Sequence, residues 1–95
     1  MAKDNAKVFV EKLFEDDEFI KTFYKNGGIK RKGSTKEKNE LLYNTARKMG
    51  YDFEEKEFQT ATSDYFKNKG ILGFIKIFMH FNKVVKAAER EEKKH

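Results

Sequence analysis

Residues 46–58 read ARKMGYDFEEKEF, and this stretch ends one helix and begins another. Lys48 lies in the last helical turn and Gly50 follows it, the usual order at a helix C-terminus because glycine readily adopts the left-handed conformation there. The acidic residues that follow Phe53 favour the positive end of a new helix, and Asp52 is its candidate cap. The stretch therefore predicts two helices joined by a short connector.

Apolar residues at spacings of three and four predict further helices on both sides of this stretch. The first helix ends at an acidic turn, where Asp16 or Asp17 is the candidate cap of the second. Ser34 and Glu37 have the spacing of a capping box at the start of the third. The prediction is an all-α protein, a small bundle of four to five helices at approximately 5–15, 17–26, 35–49, 53–68 and 71–90.

Ten aromatic residues follow the helical spacing and are therefore expected to belong mostly to the core. Tyr24, Tyr43 and Tyr51 lie near element ends or off the main stripes, so they are also candidates for surface anchors that a partner contacts. The ten expected core residues are Phe9, Phe14, Phe19, Phe23, Tyr24, Tyr43, Phe53, Phe58, Tyr65 and Phe66.

The last predicted helix differs from the others because apolar residues cover most of its surface between Ile71 and Val85. A helix that is apolar nearly all round is buried in a core, lies in a membrane interface or binds a partner. Its apolar run is well short of the roughly 20 residues needed to span a bilayer. We expect a helical domain over 1–69 and, over 70–95, an apolar, basic helix that ends in a charged, frayed tail.

Composition excludes some classes of site. The chain of 95 residues has no cysteine, so it forms neither a disulfide nor a cysteine-ligated metal site. Its net charge is +5, and basic groups of this kind suit nucleic acid, anionic lipid or an acidic protein. One basic patch comprises Lys30, Arg31, Lys32, Lys36 and Lys38. A second group, expected to face lipid or a partner from the tail, comprises Lys67, Lys69, Lys76, Lys83 and Lys86.

The sequence contains no recognisable catalytic arrangement, so it predicts a protein that is not an enzyme and needs neither metal nor cofactor. His80 and His95 lack the spacing of a metal site. The acidic turn at 15–18 lacks the alternating acids and glycine of a calcium loop. The acidic start of the fourth helix would repel phosphates, which argues against reading the third and fourth helices as a nucleic-acid-binding pair.

Residues 5–66 resemble the Nif-eleven-type leader peptides, a family named for an association with nitrogen fixation. The similarity lies in residues 9–13, the acidic turn, residues 19–23 and above all residues 46–58. In that last stretch a helix ends in Ala-x-x-x-Gly, and an aromatic, an acidic and a second large apolar residue precede an acidic helix start. Members of the family begin precursors of ribosomally made, post-translationally modified peptides.

The resemblance implies that the helical domain binds a peptide-modifying enzyme and holds a following core peptide near its active site. It also implies a cytoplasmic protein, with export after processing. The chain departs from the family after Tyr65, because no Ser, Thr or Cys follows, and its one double glycine, Gly27-Gly28, lies inside the domain. The residues expected to form or support the docking surface are Leu41, Leu42, Met49, Tyr51, Phe53 and Phe58.

Two alternatives stay open. In one, the last helix is a membrane-active, bacteriocin-like peptide that binds an anionic membrane surface through its lysines. In the other, the protein is a small helical immunity or interaction protein, and residues 71–85 are a core helix or the seam of a homodimer. The alternatives differ in whether residues 71–85 pack back onto the first four helices.

Overall fold

The computed structural model describes residues 2–30 and 32–93, with side chains over 5–30 and 32–92. The described chain contains four helices and no strand, which confirms the predicted all-α bundle. The predicted basic-patch residue Arg31 and the C-terminal His95 lie outside the described residues. The helices are α1 (Ala2–Glu15), α2 (Asp17–Lys25), α3 (Thr35–Lys48) and α4 (Glu55–Lys93).

Side-chain caps start α2 and α3, as the sequence predicted. Asp16 is the N-cap of α2, and its carboxylate accepts a hydrogen bond from the backbone N–H of Phe19 at 3.2 Å. Ser34 is the N-cap of α3, and its hydroxyl accepts from the backbone N–H of Glu37 at 3.2 Å. These bonds satisfy backbone donors that have no partner within the helix. Of the two candidates for α2, Asp16 is therefore the cap.

The start of α4 differs from the prediction. The helix begins at Glu55, and the backbone N–H of Glu54 donates to the Glu57 carboxylate at 2.9 Å, so Glu54 occupies the cap position. The prediction of Asp52 as the cap and of residue 53 as the helix start is wrong. The Asp52 carboxylate instead lies 3.8 Å from Nε of Arg47 on α3. A glutamate at the third helical position thus reaches back to the N–H of the cap residue, which is the glutamate half of a capping box.

A sharp bend at Gly70 divides α4 into a first limb, residues 55–69, and a second limb, residues 71–93. A straight helix of 39 residues would be about 58 Å long, whereas the longest dimension of the molecule is 37 Å. Gly70 has φ 73° and ψ 177°, a backbone conformation that is essentially restricted to glycine. The break predicted between the fourth and fifth helices is thus a single-residue bend.

Phe9 of α1 lies at the centre of the main core. Its fully buried ring contacts the rings of Phe19 and Phe23 on α1's neighbour α2, at centroid distances of 5.8 and 5.3 Å. It also contacts Phe53 of the connector at 5.1 Å and Phe58 of the first limb at 6.0 Å. Of the ten aromatic residues predicted for the core, Phe9, Phe23 and Phe53 are buried and the other seven are half-buried. The buried residues of this cluster are Ala6, Phe9, Leu13, Phe23, Ala46 and Phe53.

A second, smaller cluster attaches the second limb to α2. Ile20 of α2 is fully buried against Val84 and Val85, and Phe81 packs beside them. Ala88 is also fully buried, and Glu91 lies 3.8 and 3.9 Å from the amines of Lys21 and Lys25. The predicted frayed tail is therefore wrong over its described part, because the helix continues to Lys93 with one face against α2.

We predict that Gly70→Ala destabilises the protein. A Cβ at this position meets no atom within 4 Å, so the cost arises from the backbone conformation alone. Such strain costs about 1–3 kcal/mol, and in a domain of this size each kcal/mol lowers the melting temperature by roughly 4–8 °C. Thermal unfolding followed by circular dichroism measures the change.

The matched control is Asn68→Ala, an exposed position inside the first limb, where alanine is favourable in a helix. An unchanged melting temperature for both variants would contradict the bend at Gly70.

We also predict that deletion of residues 70–95 destabilises or unfolds the remaining chain. The deletion removes Val84 and Val85, which cover the fully buried Ile20. Newly exposed apolar surface of this kind weakens the folded state. Denaturant unfolding compares the deletion with a control that lacks only residues 93–95, outside the side chains that form the cluster. A residue 1–69 fragment as stable as the full chain would show that the second limb is not part of the core.

Candidate functional site

The connector between α3 and α4 is held in place by the core. Gly50 has φ 95°, and the backbone N–H of Tyr51 donates to the carbonyl of Ala46 at 2.9 Å. This bond closes the C-terminus of α3 in the manner of a Schellman motif. Phe53 is buried, and its ring stacks on Phe58 at 5.7 Å. The stretch that carries the family resemblance is therefore a fixed part of the fold.

Tyr51 lies between the core and the surface. Its ring is half-buried and contacts Phe9 and Phe19 at 5.7 and 5.6 Å. Its hydroxyl accepts a hydrogen bond from Nζ of Lys12 at 3.0 Å. This hydrogen bond, with the electrostatic interaction between the same two groups, raises the pKa of Lys12. Tyr51 therefore ties the connector to α1 and α2 and leaves part of its ring accessible.

The six predicted docking residues occupy different depths. Phe53 is buried, so it supports the surface from below. Leu42, Met49, Tyr51 and Phe58 are half-buried and pack against the main core. Leu41 is also half-buried but borders a shallow cavity of about 250 Å³, which Lys30, Glu37, Glu40 and Asn44 complete. We call the five partly accessible residues the docking surface: Leu41, Leu42, Met49, Tyr51 and Phe58.

The predicted basic patch is not a uniform field of free charge. Nζ of Lys30 lies 3.1 Å from the Glu37 carboxylate, an ion pair that offsets one of its charges. Lys32 and Lys36 are exposed, and Lys38 is half-buried. The five predicted tail lysines are all exposed, and the amine of Lys69 lies 5.2 Å from the ring centroid of Tyr65.

Six apolar side chains are exposed on the first part of the second limb. Ile71 and Leu72, next to the bend, have 81% and 76% of their surface exposed, and Met79 has 66%. Their spacing places them along one side of the helix. Soluble domains expose single apolar residues commonly, but a contiguous group of this kind marks an interaction site. We call these six residues the apolar face: Ile71, Leu72, Phe74, Ile75, Phe78 and Met79.

Parts of the second limb are packed against other helices. Phe81 contacts Phe14 of α1 at 5.6 Å, and Phe74, within the apolar face, contacts Phe66 of the first limb at 4.8 Å. Nε2 of His80 lies 2.6 Å from a carboxylate oxygen of Asp17 on α2. No sequence pattern indicates the contact between His80 and Asp17, because the two residues are 63 positions apart and each fits an ordinary role on its own helix.

Acidic side chains line an open groove of about 540 Å³ between α1 and α2. The lining comprises Glu11, Lys12, Glu15, Asp16, Asp17 and Glu18. Asp16 caps α2 and Asp17 contacts His80, so two of these carboxylates have structural partners. Within the described residues, no group of three or more His, Cys, Asp or Glu side chains could hold a metal ion.

No helix in the described part of the chain has the length and apolar character required to cross a membrane. Comparison with models of protein families, with curated proteins and with solved structures finds no match to this chain. Inferences about function therefore rest on the chemistry of the docking surface and the apolar face.

Tyr65, on the first limb beside the bend, has a strongly perturbed hydroxyl. Partial burial and then the nearby Glu15 carboxylate, which accepts its hydrogen bond, raise the pKa of Tyr65 to about 12. An unfolded tyrosine ionises near pH 10. Because the folded pKa of Tyr65 lies above the unfolded one, folding favours the neutral hydroxyl. The stability that the neutral hydroxyl contributes is fully present below about pH 10 and is lost as the pH rises through about 12.

We predict that Tyr65→Phe reduces the loss of stability between about pH 10 and about pH 12. Melting temperatures across this range compare the variant with the unchanged protein. The difference between their phenolate absorbance titrations isolates Tyr65. A midpoint of this difference near 10 would show that the hydroxyl does not contact Glu15 and is fully hydrated.

Proposed function

We propose that this protein is a non-catalytic recognition domain that binds a peptide-modifying enzyme, as the leader peptides that it resembles do. The observation that carries the proposal is the docking surface, a set of partly accessible apolar residues around the connector, four of which pack against the main core. Binding energy concentrates in a few side chains, tyrosine prominent among them, and preorganised side chains lose less free energy when the partner arrives. Tyr51 meets this description, and Phe58 and Leu42 pack against the same core.

The position of the surface supports the proposal as well. Residues 46–58 carry the most specific part of the resemblance, and they contribute Met49, Tyr51 and Phe58 to the docking surface. Leu41 and Leu42 extend it by two turns of α3. Phe53 and Ala46 are buried beneath the docking surface and support it. A partner that binds there therefore loses little free energy to ordering of the surface side chains.

The packing of the second limb supports its inclusion in the recognition domain. Val84, Val85 and Ala88 are buried against α2, so releasing this segment as a separate product would expose Ile20. The segment also lacks the Ser, Thr and Cys residues that the resembled family usually modifies. We therefore assign residues 71–93 to the recognition domain, as a helix with its own surface.

Titration of the purified protein with a peptide-modifying enzyme tests the proposal. We expect Leu41→Asp to weaken binding by about tenfold or more, because the charge lies on the docking surface. The fold should survive, because Leu41 is not among the residues packed in the main core. The absence of any binding at micromolar concentration would contradict the proposed function.

The matched control is Leu72→Asp, which places the same charge on the exposed apolar face. If this control, and not Leu41→Asp, abolished enzyme binding, the recognition function would stand but the docking surface would be wrongly assigned.

A further inference from the structure

The apolar face is separate from the docking surface and requires its own occupant. It begins at the bend, where the exposure of Ile71 and Leu72 is greatest; exposure is 42% at Phe74, which contacts Phe66, and rises again to 66% at Met79. The face therefore extends along about two turns of the second limb.

Positive charge borders this face. Lys67 and Lys69 precede the bend, and Lys76, Lys83 and Lys86 follow it, all of them exposed. From residue 65 to residue 88 the chain contains five lysines and no acidic residue. An apolar face whose own stretch of chain carries cations and no acid is complementary to a surface that is apolar inside and anionic outside.

The helical spacing puts the lysines at the edge of the face. Lys76 is four residues after Leu72, and Lys83 is four residues after Met79, so each lysine lies one turn along from an exposed apolar residue. Long lysine side chains can cover apolar surface with their methylene groups while the amine stays in water. This arrangement is typical of helices that lie in the plane of a membrane interface.

We infer that the folded protein binds the surface of an anionic lipid bilayer through the apolar face, with the five lysines contacting lipid phosphates. The helix lies along the membrane and does not cross it, in agreement with its length and composition. The inference is independent of the proposed enzyme partner, because it uses other residues on another part of the molecule.

A second copy of this chain is a poorer occupant. Pairing two apolar faces would bring two sets of lysines together, and like charges in contact weaken association. A lipid bilayer that contains anionic headgroups supplies the opposite charge and requires no complementary shape.

Sedimentation of the full-length protein with vesicles tests the inference. We expect binding to vesicles of mixed phosphatidylcholine and phosphatidylglycerol, weaker binding at high salt, and little binding to phosphatidylcholine alone.

Two double variants separate the contribution of the apolar side chains from that of the lysines. Leu72→Ser with Met79→Ser shortens the apolar face, and Lys76→Gln with Lys83→Gln removes two charges at its edge. We expect each double variant to lower partitioning by about tenfold or more.

Control variants make the same kinds of change away from the face. Val8→Ser alters one exposed apolar residue of α1, and Lys32→Gln with Lys36→Gln removes two exposed lysines of the basic patch. Each control should partition within about twofold of the unchanged protein, since side chains and charges distant from the membrane surface contribute little. All of the changed side chains are exposed, so melting temperatures should show that the fold is retained.

Three outcomes would overturn the inference. The first is the absence of sedimentation with anionic vesicles, and the second is equal loss of partitioning in the variants and their controls. The third is a dimer in light scattering that Leu72→Ser with Met79→Ser dissociates while vesicles are not bound. That last result would assign the apolar face to a second copy of the chain.

Discussion

The bend at Gly70 is the constraint on which the arrangement of the other helices depends. The first limb of α4 runs along α1, where Phe14 contacts Tyr65 and Phe66 at 5.7 and 4.9 Å. Without a change of direction the second limb would project away from the molecule, because the full helix is longer than the fold. The bend returns it to α2, where Val84 and Val85 cover Ile20. One glycine conformation thus connects the two clusters of the core.

The sequence predicted the helices well because their ends are local features. Asp16 and Ser34 cap helices through hydrogen bonds to residues three positions away, so the signal and its result lie within one turn. The error at Asp52 is also local: the helix starts two residues later than expected, and the Glu57 carboxylate accepts a hydrogen bond from the N–H of Glu54 there. Both kinds of residue favour a helix start, and the sequence alone does not rank them.

The candidate surfaces were harder to predict because they depend on contacts between distant residues. Apolar spacing showed that residues 71–85 have a wide apolar surface, but spacing carries no information about which part another helix covers. Phe53 was predicted for the docking surface and lies buried beneath it, since the connector folds inward against Phe9. The contact between His80 and Asp17 likewise exists only once the bend has brought the second limb to α2.

The lengths of the helices explain why part of the second limb is exposed. The nine residues of α2 span about 13 Å, whereas the second limb spans about 34 Å. A helix as short as α2 can therefore cover little more than a third of the second limb. It covers the part that contains Val84, Val85 and Ala88, and the part near the bend keeps its apolar residues without cover from α2. The exposed face is thus a consequence of helix length, and the exposed lysines on the same limb set the charge beside it.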